Sequence, residues 1–148
     1  MISENKCGSC CMCCKLTFVP EINKPVNAWC PKCEIGEGCK EYETRPDSCK
    51  TYRCIWLSGG LSLDMRPDKC KVLFERLPSG KTYLALIDPD RPDSWKEAIV
   101  RSTIDDLILA NKTVVVNVKP IQYLLPKGRK PEEVVEDIMS TAKMYGLL

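Results

Sequence analysis

Between Cys7 and Cys14 the chain reads Cys-Gly-Ser-Cys-Cys-Met-Cys-Cys, five cysteines in eight residues. Neither the 3.6-residue stripe of a helix nor the two-residue alternation of a strand asks for that density of thiols. Ten of the eleven cysteines lie between Cys7 and Cys54, and only Cys70 falls outside. Whatever this half folds into must first satisfy its sulfurs.

The redox setting decides whether those sulfurs pair or bind. The start, Met1-Ile2-Ser3-Glu4-Asn5-Lys6, has no apolar run behind a basic segment, so no secretory leader is expected. No apolar stretch reaches transmembrane length. A cytoplasmic, reducing location follows as the expectation, and there clustered cysteines serve as ligands or redox groups rather than disulfides. Histidine is absent, which excludes Cys₂His₂ fingers, histidine-ligated catalytic zinc and any triad with a histidine base. With 22 basic and 20 acidic residues, the near balance predicts no nucleic-acid or membrane footprint.

Residues 1–57 are poor in periodicity. Pro20, Pro25, Pro31 and Pro46 alternate with Gly8, Gly36 and Gly38, which reads as loops and turns tied by something other than a core. Metal would be that tie, its binding free energy becoming folding free energy. Leu16–Val19 reads as a short strand, and residues 41–56 as a helical turn or two. Phe18, Trp29, Tyr42, Tyr52 and Trp56 are the core this half has to offer. Ser58-Gly59-Gly60 marks a seam, and residues 58–70 read as a connecting loop.

After the seam the pattern is conventional. Residues 71–77 and 82–88 read as strands around the turn Pro78-Ser79-Gly80-Lys81. Ser94-x-x-Glu97 fits a capping box for a helix carrying Val100, Ile104, Leu107 and Ile108. Thr113–Val118 reads as a third strand stopped by Pro120. Pro131 opens a last helix with Val134 or Val135, Ile138, Ala142 and Tyr145 inward, and Gly146 closes it. The expected fold class is therefore α+β. An irregular, cysteine-rich, metal-tied N-terminal half (1–57) packs against a small ββαβα half (71–148), forming one compact unit.

The cysteine spacings narrow the chemistry. Cys7-x₂-Cys10-x₂-Cys13-Cys14 is followed by Cys30-Pro31-Lys32-Cys33, then Cys39, Cys49 and Cys54. A Cys-x₂-Cys turn aims two sulfurs at one point, and Cys10-x₂-Cys13-x₁₆-Cys30-x₂-Cys33 has the spacing of a tetrahedral Cys₄ zinc site. The register with Cys7 and Cys10 as the first pair fits equally. The triple run Cys7, Cys10, Cys13 also resembles the ligands of a [4Fe–4S] cluster, with Cys30-Pro31 as the remote ligand. Lys6, Lys15, Lys32, Lys40, Lys50 and Arg53 each adjoin a cysteine in sequence, and a nearby cation favours the thiolate.

The same run resembles the signature of the CxxCxxCC family, the zinc- or iron-chelating domain of the YkgJ-like cysteine-cluster proteins. The stretch Trp29-Cys30-Pro31-x-Cys33, with Gly38-Cys39-x₂-Tyr42-x₂-Arg45-Pro46-x₂-Cys49-x₄-Cys54-x-Trp56, is similar to the rest of that pattern. The resemblance covers residues 7–57 and, more loosely, the chain to about residue 120. It implies zinc or iron held by cysteine, and Cys11 and Cys70 fall outside its pattern. The implied metal ligands are Cys7, Cys10, Cys13, Cys14, Cys30, Cys33, Cys39, Cys49 and Cys54. Two Cys₄ sites would use eight of them, so more than one metal is expected. An iron–sulfur redox protein on the same cysteines is the alternative. Within the pattern, Pro46 is expected to turn Cys49 back towards Cys39, with Arg45 holding carbonyls or a carboxylate.

No catalytic constellation stands out. The Asp88-Pro89-Asp90-Arg91-Pro92-Asp93 segment gathers carboxylates that suit a hard cation, but Pro and Asp are ordinary turn material, and the turn is the reading adopted. The metal ion is the one partner the sequence points to.

Overall fold

The strand formers after residue 70 build the sheet on which everything else rests. In a computed structural model describing residues 9–144 and 146, the chain is α+β. Strands β3 (Val72–Arg76) and β4 (Thr82–Ile87) form an antiparallel hairpin with Val72 opposite Ile87 and Arg76 opposite Tyr83. Gly80 turns it at φ +74°, a left-handed conformation that costs glycine little. Helix α4 (Ala98–Leu109) carries the chain across to β5 (Thr113–Asn117), which runs parallel to β4. Strand β6 (Gln122–Leu124) adds an antiparallel edge, giving the order β3-β4-β5-β6. Helix α5 (Pro131–Met144) follows, burying Val134 and leaving Val135 exposed. Gly146, at φ +69°, accepts the left-handed turn beyond it; Tyr145 lies outside the described residues.

Four expectations need correction. The second half is ββαββα, because β6 is too short for any alternation to announce it. Leu16–Val19 is not a strand: Met12–Leu16 forms helix α1, which buries Met12 and Leu16 at the i, i+4 spacing of one helical face. Ser94 does not cap α4. It opens a separate 3₁₀ turn (Ser94–Lys96) and its hydroxyl donates to the Lys71 carbonyl at 3.4 Å, while Glu97, with extended backbone, stands at the cap. Residues 58–70 are not merely a loop, since a 3₁₀ turn (Leu63–Met65) and helix α3 (Pro67–Cys70) bury Met65 and Pro67.

The first half contributes to the sheet's own core. Met12, Leu16, Cys54, Trp56 and Met65 join Val72, Phe74, Ala85, Ile87, Val100, Ile104, Val114 and Val116 in one buried cluster. Of the five aromatics expected to form a core, Trp56 is buried and Tyr52 packs against the cluster, whereas Phe18, Trp29 and Tyr42 are exposed. Elsewhere this half is local turns: the two-residue strands β1 (Cys33–Glu34) and β2 (Gly38–Cys39), a 3₁₀ turn (Tyr42–Thr44) and helix α2 (Asp47–Thr51). Among the described residues no helix is long and apolar enough to cross a membrane.

A buried ion pair fastens α1 to the end of β4. Lys15 is 6% exposed, and its ammonium donates to Asp88 Oδ1 and Asp90 Oδ2, each at 2.6 Å. Burial works against the Lys15 charge, but the two carboxylates outweigh it and hold its pKa above the ordinary lysine value. Asp88 also accepts the Asp90 amide at 3.0 Å, so the carboxylates belong to a hydrogen-bonded turn, as the composition implied. A second tie is the Tyr52 phenol, which donates to Glu75 at 2.6 Å. Burial pushes the Glu75 carboxyl above its ordinary value, with the phenol pulling it partly back.

Asp88→Ala is expected to cost about 3 kcal/mol in urea unfolding, because it leaves the buried Lys15 ammonium only the solvent-exposed Asp90 carboxylate. Asp90→Ala should cost under about 1 kcal/mol, its carboxylate being largely in water; equal losses would refute the asymmetry. For Glu75 the raised folded-state pKa means the folded state holds more protons than the unfolded one above about pH 4.5. Its contribution is complete below that pH and lost as pH rises through the folded value. Glu75→Gln should therefore gain stability relative to the native protein across that window, measured by denaturant titration from pH 4 to 7.

Candidate functional site

The described cysteines of the expected ligand set come from five short segments. Cys7 lies outside the described residues. Cys10 precedes α1, and its sulfur is hydrogen-bonded by the backbone of Met12 and of Asp68. Burial pushes its pKa up to about 11, against the pull of those backbone bonds. Cys54 is buried and its sulfur accepts the Leu57 amide at 3.4 Å. Cys10 and Cys13 pack against the core cluster that contains Cys54, and Cys10 feels the charge of Cys54. These three form an inner group on the sheet side.

The outer group is assembled by backbone bonds. The Cys30 amide donates to the Cys14 carbonyl at 2.9 Å, laying the Cys30 segment along α1. The β1–β2 ladder places Cys33 opposite Cys39, and directly opposed residues of an antiparallel pair share a face. Gly36, at φ +84°, makes that tight turn possible. In α2, the Cys49 amide donates to Pro46 at 2.9 Å, and Cys49 lies within electrostatic reach of Cys14, Cys30 and Cys39. Pro46 thus stands at the start of α2, three residues before Cys49. Arg45 holds the Tyr42 carbonyl at 2.8 Å and stacks on the Tyr42 ring, 3.8 Å from its centre.

Several cysteines stand close enough to act on one another's ionisation: Cys13 and Cys33 on Cys14, and Cys11 and Cys14 on Cys33. Cys14 is held well above the ordinary thiol range, first by its contact with Cys13 and then by burial. Cys33 is raised by burial and then by Cys11 and Cys14; Cys49 is raised by burial and then by its cysteine neighbours. Such thiols resist ionising together because each thiolate repels the next. None of the ten described cysteines is in a disulfide. Among the described residues no three cysteine, aspartate or glutamate side chains converge as a closed metal cage; the contacts run pairwise.

One cation that acts on the sulfurs was missed by sequence adjacency. Lys24 is buried, and its ammonium donates to the carbonyls of Lys15 at 3.2 Å, Pro25 at 2.7 Å and Thr17. Those three bonds use all three of its donors. Burial lowers its pKa, while Cys30, Cys14, Cys13 and Cys49 act in the opposite direction. By contrast, the ammonium groups of Lys15, Lys32 and Lys40, each beside a cysteine in sequence, pair with Asp88 and Asp90, Glu41 and Glu34. Lys6 lies outside the described residues. Nothing local marks Lys24: it is recruited by the loop that Asn23, at φ +52°, and the Val19–Lys24 bridge fold around it.

Cys11, which falls outside the resemblance's pattern, is 2% exposed, and its thiol donates to Ser9 O at 3.3 Å and Glu34 O at 3.6 Å. Cys70 is structural in surroundings, its thiol donating to the carbonyls of Met65 and Val72 beside the core. A separate cavity of about 510 Å³ opens beneath α5 between Lys81, Arg129 and Glu133. Two of its polar groups are already occupied, Arg129 with Thr113 and Ser79 with Asp137, and no expected site residue lines it.

Lys24→Met should strand the three carbonyls and cost about 2 kcal/mol or more, an unsatisfied buried polar group costing ~1–3 kcal/mol. It should also slow the reaction of Cys14 and Cys49 with a thiol reagent at fixed pH; unchanged rates would show that the ammonium does not influence the sulfurs. Comparison with family models, with curated proteins and with solved structures finds no match to this chain.

Proposed function

We propose that this protein binds metal through cysteine thiolates, as a member of the CxxCxxCC type. Zinc is the favoured ion and iron the alternative, with more than one ion per chain. The ligands are drawn from Cys7, Cys10, Cys13, Cys14, Cys30, Cys33, Cys39, Cys49 and Cys54. The observation that carries this reading is that Cys13, Cys14, Cys30 and Cys49 all lie within electrostatic reach of the buried Lys24 ammonium. A buried cation offsets the net negative charge that four thiolates leave on a zinc site, and these neutral thiols would surrender their protons to a metal. The inner sulfurs, Cys10 and Cys54, already receive backbone hydrogen bonds, which stabilise a thiolate ligand. The setting this chemistry needs is reducing and cytoplasm-like, where metal rather than disulfide claims the sulfurs.

The iron–sulfur reading uses the same cysteines and is favoured by the Cys7, Cys10, Cys13 run. It requires a brown protein whose visible absorption bleaches on reduction; a colourless protein loaded with zinc would rule it out.

Elemental analysis of anaerobically purified protein should find more than one metal per chain. Zinc titration by calorimetry in buffers of different ionisation enthalpy should release about four protons per ion at a four-thiol site, with affinity rising with pH. Cys10→Ser and Cys33→Ser should lower the metal content and Cys11→Ser should not. Folded protein with well under one metal per chain, and no proton release on adding zinc, would sink the proposal.

A further inference from the structure

We infer that the cavity beneath α5 binds a short peptide with free ends, its carboxylate held by Arg129 and Lys81 and its ammonium by Glu136 and Asp137. The site contains no cysteine and does not rest on the function proposed above. The cavity measures about 510 Å³, within the roughly 300–1,000 Å³ of small-ligand sites. One wall is the hairpin turn and the start of β4, and the other is α5. Helix positions 133, 136, 137 and 140 line it, the i, i+3, i+4, i+7 spacing of one helical face. It therefore runs for about 10 Å along the helix, and three extended residues span about the same 10 Å.

The inner wall is held in place by the fold. The Arg129 side chain is only 15% exposed, and one terminal nitrogen donates to the Lys81 carbonyl at 3.2 Å and the Thr113 hydroxyl at 3.1 Å. Those bonds use both hydrogens of that nitrogen; the other terminal nitrogen has no acceptor among the described residues. Thr82, in register with Thr113, is 2% exposed. Its hydroxyl has no partner among the described residues, where every fully buried side-chain oxygen has one, so it opens onto the cavity it lines.

The charges around the cavity are left largely unpaired. The Lys81 ammonium and the Glu136 carboxylate have no partner among the described residues. Asp137 gives one oxygen to the Ser79 hydroxyl at 2.7 Å and keeps the other. Glu133 is already engaged by the Lys130 amide at 3.4 Å and by Arg129 at 3.9 Å. A simple cation would suit the carboxylates and be repelled by Arg129 and Lys81; a simple anion meets the reverse. A zwitterion answers both. Its carboxylate takes the free half of the Arg129 fork, and its ammonium falls to Glu136 and Asp137, about one helical turn further along. The Thr82 and Ser140 hydroxyls remain for the amide groups between. With so polar a lining, recognition falls on the ends and backbone of the peptide rather than on its side chains.

The test is titration of the isotope-labelled full chain with trialanine, followed by amide chemical shifts. N-acetyl-trialanine and trialanine amide serve as probes that each lack one charge. Trialanine should shift residues 79–82 and 129–140, and either blocked form should bind about tenfold more weakly, having lost a charge-assisted hydrogen bond. Lys81→Gln should narrow the gap between trialanine and its amide, and Glu136→Gln the gap between trialanine and its N-acetyl form. Both side chains are exposed and unpartnered, so the variants keep the native spectrum elsewhere. Absence of shifts at millimolar trialanine, equal binding of the blocked forms, or shifts confined to other parts of the chain would overturn the inference.

Discussion

Lys15 sits inside the protein with its ammonium between Asp88 and Asp90, and much of the cysteine half hangs from the helix that this contact fastens. Helix α1 is five residues long, far too short to hold itself in water. It persists because Met12 and Leu16 enter the sheet's core on one face and Lys15 reaches the Asp88 turn from the next position. Cys13 and Cys14 ride on that helix, and the Cys14 carbonyl receives the Cys30 amide. The ion pair thus sets the frame in which the outer sulfurs meet. A buried pair of this kind confers placement more surely than net stability, since desolvation offsets much of its attraction.

Around that frame the electrostatics conflict. Burial and mutual repulsion keep Cys10, Cys14, Cys33 and Cys49 in the thiol form, while Lys24 and the backbone bonds at Cys10 and Cys54 favour the thiolate. Among the described residues every buried side-chain nitrogen and oxygen has a partner. On the function proposed above, a divalent cation would tip that balance towards the thiolate.

Local pattern was enough for much of the second half. The hairpin 72–87, the buried face of α4 and the extent of α5 follow from alternation, helical spacing and Pro131, all short-range signals. Strand β6 was not legible, since three residues carry no period. The capping box at Ser94 misled because Lys71, distant in sequence, offers its carbonyl to the Ser94 hydroxyl. In the first half, the aromatic residues suggested a private core. The sheet instead draws in Met12, Leu16 and Trp56 and leaves Phe18 and Tyr42 to solvent.

Sequence alone determined the α+β class and the identity of the candidate donors, because both reside in residue type and spacing. It also determined that any site must be built without histidine. Tertiary structure decided which sulfurs are neighbours, which cation attends them and what Cys11 touches. Lys15 stands beside Cys14 in the chain yet spends its charge on Asp88, whereas Lys24, nine residues further on, approaches Cys14, Cys30 and Cys49 together. Coulomb energy depends on separation in space, and only the closed fold brings Lys24 and those sulfurs together.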